Sequence, residues 1–181
     1  MTNEIQSKHI GMIAIGAGAI GASIYLVMIT VTLAHIEAIS GHVPFDMRPL
    51  GYGPADATAL LDALGTDGRN YYLNRQIPLD TLYPATLALT LVATIFWFGQ
   101  RVSNRKLIRI GIALSLGSAL FDYVENIGIA IMLWVGTDVS APLVYATGAA
   151  TIAKSTLTTL AVFFAVLAGI IWARKPKAVL P

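Results

Sequence analysis

Cysteine is absent from this 181-residue chain, which excludes disulfides, thiol catalysis, quinone-reducing CxxC chemistry and cysteine zinc sites. Charge is scarce: 12% of the residues are Asp, Glu, Lys or Arg, about half the share in a typical soluble domain. The net charge is only +2 and the basic residues are not interleaved with aromatics, so we expect no nucleic-acid partner. Apolar residues make up 56% of the chain and its mean hydropathy is +0.69. This composition is typical of membrane proteins.

Four long apolar stretches dominate the sequence. A helix needs about 20 predominantly apolar residues to cross the hydrocarbon core, and each stretch meets that length. The alternation of apolar and polar residues that marks membrane β-strands is missing. We therefore predict an all-α fold, an integral membrane four-helix bundle that forms a single domain over residues 1–181. The predicted spans are 10–36, 80–100, 108–135 and 141–173, with an outer loop over 37–79.

The basic residues predict the orientation of these spans. Eight of the twelve lie on one side of the predicted bundle, and basic residues mark the cytoplasmic side of membrane proteins. We therefore expect a multi-pass protein with both termini in the cytoplasm, in a bacterial inner (plasma) membrane. The first apolar run is longer than the core of a signal peptide, so we expect it to be an uncleaved anchor. The eight residues are Lys8, Arg101, Arg105, Lys106, Arg109, Arg174, Lys175 and Lys177.

The 43-residue outer loop is too long to be without structure of its own. Pro54 suits the first turn of a helix that runs to Leu64, where Gly65 would stop it. A second helix is predicted to start near Thr66 or Asp67. Together these helices would form an extracytoplasmic helical hairpin between helices 1 and 2, lying over the bundle as a lid.

Three short segments combine polar and aromatic residues in a motif-like way. They are 44–48 in the outer loop, 68–72 just before the second span and 121–126 within the third. In the first segment, Asp46 and Arg48 lie between prolines. They are equally suited to an ion pair that pins the loop and to a ligand-binding role.

The segment Gly16–Gly21 fits the pattern GxGxxG, which binds dinucleotides when it joins a strand to a helix. A dinucleotide-binding domain also needs strands that alternate with amphipathic helices, and nothing downstream supplies them. We therefore interpret the segment as a packing face in which Ala14, Gly18 and Ala22 form a ridge of small residues against a neighbouring helix.

Ionisable side chains inside the predicted spans most need an explanation. Asp122, Glu125 and Asn126 lie on one face of the third span because their spacing is i, i+3, i+4. Counted from the inner edge at 1.5 Å per residue, Asp122 lies about 18 Å and Glu125 about 22 Å into the membrane. On the same scale, Lys154 of the fourth span lies about 28 Å and Asp80 about 30 Å from that edge. We expect all of these groups in the outer half of the bilayer.

An unpaired charge at the bilayer centre costs about 2.5–3.5 kcal/mol. We therefore expect the two acids and the lysine to lie together there, so that their opposite charges compensate one another. Like-charge repulsion should leave one acid protonated near neutral pH, which supplies the donor and the acceptor of acid–base catalysis. The spacing of His35, His42 and Glu37 matches no familiar metal site, and we expect neither a metal nor a cofactor. The predicted catalytic residues are Asp122 and Glu125, and the predicted ligand-binding residues are Asn126, Lys154, Tyr83, Asp80 and Arg69.

Three functions remain open at this point. The first is a small membrane enzyme or binder for an apolar, lipid-like substrate. The second is an accessory subunit of a larger membrane complex or a homo-oligomer, in which the buried polar groups hold helices together. The third is proton-coupled transport, which the absence of an inverted repeat of broken helices disfavours. Membrane lipids are expected partners in every case.

Overall fold

The computed structural model describes residues 2–100 and 102–174, with side chains from residue 8 onward, and all regular structure in these ranges is helical. Short π-helical segments over 28–32 and 72–76 join α1 to α2 and α3 to α4 without a break in the helix. The α-helices are α1 (Thr2–Val27), α2 (Leu33–Ser40), α3 (Pro54–Tyr71), α4 (Ile77–Gly99), α5 (Arg105–Val135) and α6 (Ala141–Arg174).

Four helical segments are long and apolar enough to cross a membrane: Lys8–Ser40, Pro54–Gly99, Arg105–Asp138 and Ala141–Arg174. Only 17–33% of their most apolar stretches is buried inside the protein, so most of this apolar surface needs lipid around it. The finding indicates a multi-pass membrane protein. The bounds of α4, α5 and α6 lie within three residues of the predicted second, third and fourth spans.

Helix ends follow local signals in the sequence. The side chain of Asn104 accepts hydrogen bonds from the backbone N–H groups of Lys106 and Leu107 (3.1 and 3.4 Å) and begins α5. Gly41 adopts a left-handed conformation (φ 68°) and ends α2, with its N–H donating to the Glu37 carbonyl at 2.8 Å.

The helix that begins at Pro54 is interrupted at Gly65, as the sequence predicts, because Gly65 adopts φ 57° and ψ −167°. These angles are almost exclusive to glycine. Beyond Gly65 the chain returns to helix and continues through the π segment into α4. The helix predicted to start near Thr66 is therefore the outer part of the helix that leads into the second span.

Small residues bring the helices close together at two places. A Cβ on Gly128 of α5 would lie 2.7 Å from Thr147 Cγ2 of α6, so α5 and α6 can approach this closely only at glycine. Gly18 and Gly21 of α1 face Thr90 and Thr86 of α4 in the same way. The predicted ridge on α1 is thus partly present. Its third member, Ala22, is exposed instead.

Apolar and polar side chains are layered along the helices. One apolar cluster lies at the end of the helices next to the loop between α2 and α3 and contains Phe45, Tyr72 and Met132; it is called the outer apolar cluster. A second cluster at the opposite end contains Ile95 and Ala165. Between these clusters, the structure buries many polar or charged side chains, together with small apolar ones such as Ala88 and Ala150. The polar layer contains Gln76, Asp80, Ser115, Ser118, Asp122, Glu125, Asn126, Thr147, Thr151 and Lys154.

Candidate functional site

The centre of the polar layer is an ion-pair network between α5 and α6. Lys154 Nζ donates to Asp122 Oδ1 at 3.0 Å and pairs with Glu125 Oε2. Glu125 is completely buried, and its Oε1 accepts a hydrogen bond from the Thr151 hydroxyl at 2.7 Å. Both acids face α6 because they lie three residues apart on α5. The helical period thus brings the two predicted catalytic acids and the predicted lysine into direct contact.

A second connection joins α4 to α5. Asn126 Nδ2 donates to the backbone carbonyl of Asp80 at 2.7 Å, and both side chains are buried. Asp80 is also close enough to Lys154 and Asp122 to interact with their charges. Asp80 and Asn126 therefore lie in the same polar layer as the ion-pair network, although the residue count separates Asp80 from Asp122 by about 12 Å.

The outer loop contributes a fourth carboxyl group. Asp46 Oδ2 accepts a hydrogen bond from the buried Tyr72 hydroxyl, and the Asp46 carboxyl group lies against that of Asp80. Asp46 Oδ1 and Asp80 Oδ2 are both buried and receive no hydrogen bond from any residue that the structure describes. We call Asp46, Asp80, Asp122, Glu125 and Lys154 the acid–lysine cluster.

Arg48 does not pair with Asp46. Its guanidinium lies 3.4 Å from Asp56 Oδ1 and donates to the Val43 carbonyl at 3.0 Å. The ion pair that pins this loop is therefore Arg48–Asp56. The Asp46 side chain instead lies against Tyr72 and Asp80. The backbone explains the difference, because the 3-10 turn Phe45–Met47 buries Phe45 and directs the next residue toward Tyr72.

Tyr52 covers the cluster from the outer side. Its ring packs on Phe45 with ring centroids 4.7 Å apart, and its backbone lies against Gly148 of α6, where a Cβ would come within 2.9 Å of the Tyr52 carbonyl oxygen. Burial raises the pKa of the Tyr52 phenol well above its usual value, and the nearby charges of Glu125 and Asp46 raise it further. Tyr52 is therefore a neutral lid residue above charged groups.

A cavity of about 490 Å³ opens beside the cluster. Asp46, Asp122 and Lys154 form its polar end. Two of its lining residues, Tyr25 and Val162, are 44% and 43% exposed. The cavity therefore reaches the surface of the apolar helices. We call this space the acid cavity. The remaining lining residues are Tyr83, Leu87, Ser155, Thr158 and Thr159.

Two predicted ligand-binding residues lie in different surroundings. Tyr83 lines the acid cavity and stacks on Tyr25 with ring centroids 5.5 Å apart. Arg69 lies at the outer turn between α5 and α6, where a Cβ on Gly136 would come within 2.8 Å of its Cζ. Arg69 is not among the residues that line the acid cavity.

Sequence reasoning missed part of the site. Gln76 is completely buried and accepts a hydrogen bond from Thr32 at 2.5 Å, which joins the two π segments. The sequence pattern could have indicated Gln76, because Tyr72, Gln76 and Asp80 are spaced by four residues and share one helical face. The inward direction of the Asp46 side chain is indicated less clearly by the sequence. The three motif-like segments each supply a residue here: Asp46, Tyr72 and the α5 acids.

Comparison with known proteins adds no assignment: no protein-family model, no curated protein and no solved structure matches this chain.

Proposed function

We propose that the four membrane-length helices form a bundle in a bacterial inner membrane, with both termini in the cytoplasm and the segment around Pro54–Tyr71 covering the outer side. The excess of Lys and Arg at one end of the helices supports this orientation. The covering position of this segment is supported by the outer apolar cluster, in which Phe45 and Tyr72 of the loop are buried with Met132 of α5.

Within this bundle, the protein binds an apolar, lipid-like substrate and acts on it by carboxylate acid–base chemistry. The observation that carries this proposal is the acid cavity, which combines Asp122 and Lys154 with Tyr25 and Val162, two exposed residues on the surface of the apolar helices. A substrate dissolved in the bilayer would enter beside these two residues without crossing water. Ionisable groups inside a membrane are costly and are usually retained for function.

The geometry supports different roles for the two predicted catalytic acids. Asp122 lines the cavity, and its Oδ2 makes no hydrogen bond to any residue in the described part of the chain. Glu125 lies behind Lys154 and is completely buried. In the proposed reaction, Asp122 exchanges the proton with the substrate, whereas Glu125 holds Lys154 in place.

Charge counting supports the availability of a proton. Four carboxyl groups surround one lysine, so full ionisation would leave a large negative charge in a region of low dielectric constant. Like charges at such short range cannot all ionise. The cluster therefore holds at least one exchangeable proton, which general acid catalysis requires.

Native mass spectrometry of the chain, extracted gently from its host membranes, tests the proposal. We expect a single chain that carries a reproducible small apolar mass. Asp122→Asn should lose that mass and any turnover while it keeps the thermal unfolding midpoint within a few degrees. Asp62→Asn changes an exposed acid of the outer segment in the same way and should keep the ligand. A wild-type chain without any bound small molecule would contradict the proposal.

A second function, an accessory subunit, is favoured by the polar contacts between helices. Asn126–Asp80, Thr151–Glu125 and Ser118–Thr158 each join two different helices, and such contacts stabilise membrane bundles. Stoichiometric larger partners in the same mass spectra, together with loss of assembly in Asp122→Asn, would support this function instead.

A further inference from the structure

An apolar groove of about 280 Å³ lies between α1 and α4. Gly18, Gly21 and Ala22 of α1 and Thr90 of α4 line its length. The glycines lack the side chains that would fill it, since a Cβ on Gly18 would already lie 3.3 Å from Thr90 Cγ2. Ala22 is exposed toward the groove rather than packed on α4. The small residues on this part of α1 therefore leave an elongated apolar space open.

The groove lies next to the acid cavity, because Tyr25, Tyr83 and Leu87 line both spaces. An elongated ligand that passes the stacked rings of Tyr25 and Tyr83 would have one end beside Asp122 and Lys154 and the other along the glycines of α1. Together the two volumes fall within the range of roughly 300–1,000 Å³ that small-molecule sites occupy.

The charged groups at the polar end of the acid cavity determine which charge the head group of the ligand can carry. Lys154 is already paired with Asp122 and Glu125, so it has little positive charge to offer an anion. Asp46 adds a further carboxyl group to the cavity wall. The free Oδ2 of Asp122, a side chain that is 7% exposed, accepts a hydrogen bond but cannot donate one when ionised. These groups favour a head that donates hydrogen bonds and is neutral or cationic.

We propose that the acid cavity and the groove together bind a single-chain amphiphile whose head is a hydroxyl or an amine and whose alkyl chain lies along Gly18, Gly21 and Ala22. This inference rests on the proposed function and specifies its substrate class. A phosphate or carboxylate head is excluded because it would place a negative charge beside Asp46 and Asp122. The chain occupies an apolar groove that is otherwise open to lipid.

The test uses the purified full-length chain in nanodiscs and hexadecan-1-ol that carries a photoreactive diazirine in the middle of its chain. After irradiation, peptide mass spectrometry should locate the label on residues 18–25 and 83–90. Unlabelled hexadecan-1-ol and hexadecylamine should compete for the site, whereas hexadecyl phosphate should compete at least tenfold less well. Ala22→Phe, which fills the groove from its exposed side, should lower the labelling at least tenfold.

Ala19→Phe provides the matched control, because Ala19 is exposed on the same helix and does not line the groove. It should label like the wild type. Labelling that is spread evenly over the lipid-facing helices, or that persists in Ala22→Phe, would overturn the groove assignment. Equal competition by hexadecyl phosphate would overturn the assignment of the head. Equal melting midpoints of the two variants verify that both are folded.

Failure of this inference can be separated from failure of the proposed function. If Asp122→Asn loses its co-purified ligand while Ala22→Phe keeps it, the acid cavity functions and the groove assignment is wrong. If the wild type carries no ligand but labels specifically in the groove, the amphiphile site stands and the proposed acid–base function fails.

Discussion

Replacing Lys154 by Met should be among the most destabilising single substitutions in this chain. The lysine is the one cation that contacts Asp122 and Glu125 among the described residues, and its side chain is only 14% exposed. Methionine keeps most of the volume of the side chain but removes its charge. Two carboxylates would then face each other in the polar layer without a counter-charge, and the charges of Asp80 and Asp46 would act in the same direction.

The expected cost follows from the burial of the pair. Removing one partner of a buried ion pair destabilises a protein by about 3–5 kcal/mol, because the remaining charge is left uncompensated. Adding Asp122→Asn and Glu125→Gln to Lys154→Met removes those charges, so the triple variant should recover most of the loss. Replacement of a whole buried ion-pair group by neutral residues is often close to neutral in stability. Lys106→Met is the control, since Lys106 is exposed near the start of α5.

The assay is unfolding in mixed micelles with rising SDS, followed by tryptophan fluorescence. Trp97 and Trp172 report on tertiary structure because their ring centroids lie 6.3 Å apart on α4 and α6. Lys154→Met should shift the unfolding free energy by about 3–5 kcal/mol, and Lys106→Met by less than about 0.5 kcal/mol. A loss below about 1 kcal/mol for Lys154→Met, or a triple variant no more stable than the single one, would refute the reasoning from buried charge.

Three further predictions concern the helix contacts and the outer loop. Gly128→Ala should cost about 1–3 kcal/mol by overpacking against Thr147, whereas Gly16→Ala, which has nothing within 4 Å of its Cβ, should cost nothing in the same unfolding assay. Gly65→Ala should cost about 1–3 kcal/mol because its backbone angles exclude other residues, and a fully stable variant would show that the interruption is not required. Since the pKa of Tyr52 is raised by burial, its neutral form contributes stability that is lost as the pH rises above about 10. Tyr52→Phe should therefore flatten the alkaline loss of stability, and an unchanged pH profile of the unfolding midpoint would contradict the burial argument.

Part of the candidate site could be predicted from periodicity. Asp122, Glu125 and Asn126 share a face because of the helical repeat alone. Residue counting at a fixed rise per residue places Lys154 about 10 Å farther from the inner edge than Asp122, whereas the structure brings its Nζ to 3.0 Å from Asp122 Oδ1. The shared face depends on one helix alone, but the contact with Lys154 depends on how α5 and α6 pack and on the long lysine side chain.

The outer loop shows where such reasoning stops. Asp46 and Arg48 are two residues apart, and their charges alone suit an ion pair that pins the loop and a ligand-binding role equally. In the structure Arg48 pairs with Asp56, while Asp46 turns inward to Tyr72 and Asp80. The burial of the neighbouring aromatic residue decides this direction, and no local pattern encodes it.

The sequence by itself determined the four apolar helices, because hydropathy and length are properties of each segment alone. It also determined which polar side chains share a helical face. Only the tertiary structure decided that Asp46 joins the cluster, that Arg69 lies apart from it, and that Ala22 lines a groove instead of a helix contact. The physical reason is that these outcomes depend on packing between segments distant in the chain, where the volume of one side chain sets the space that remains for another.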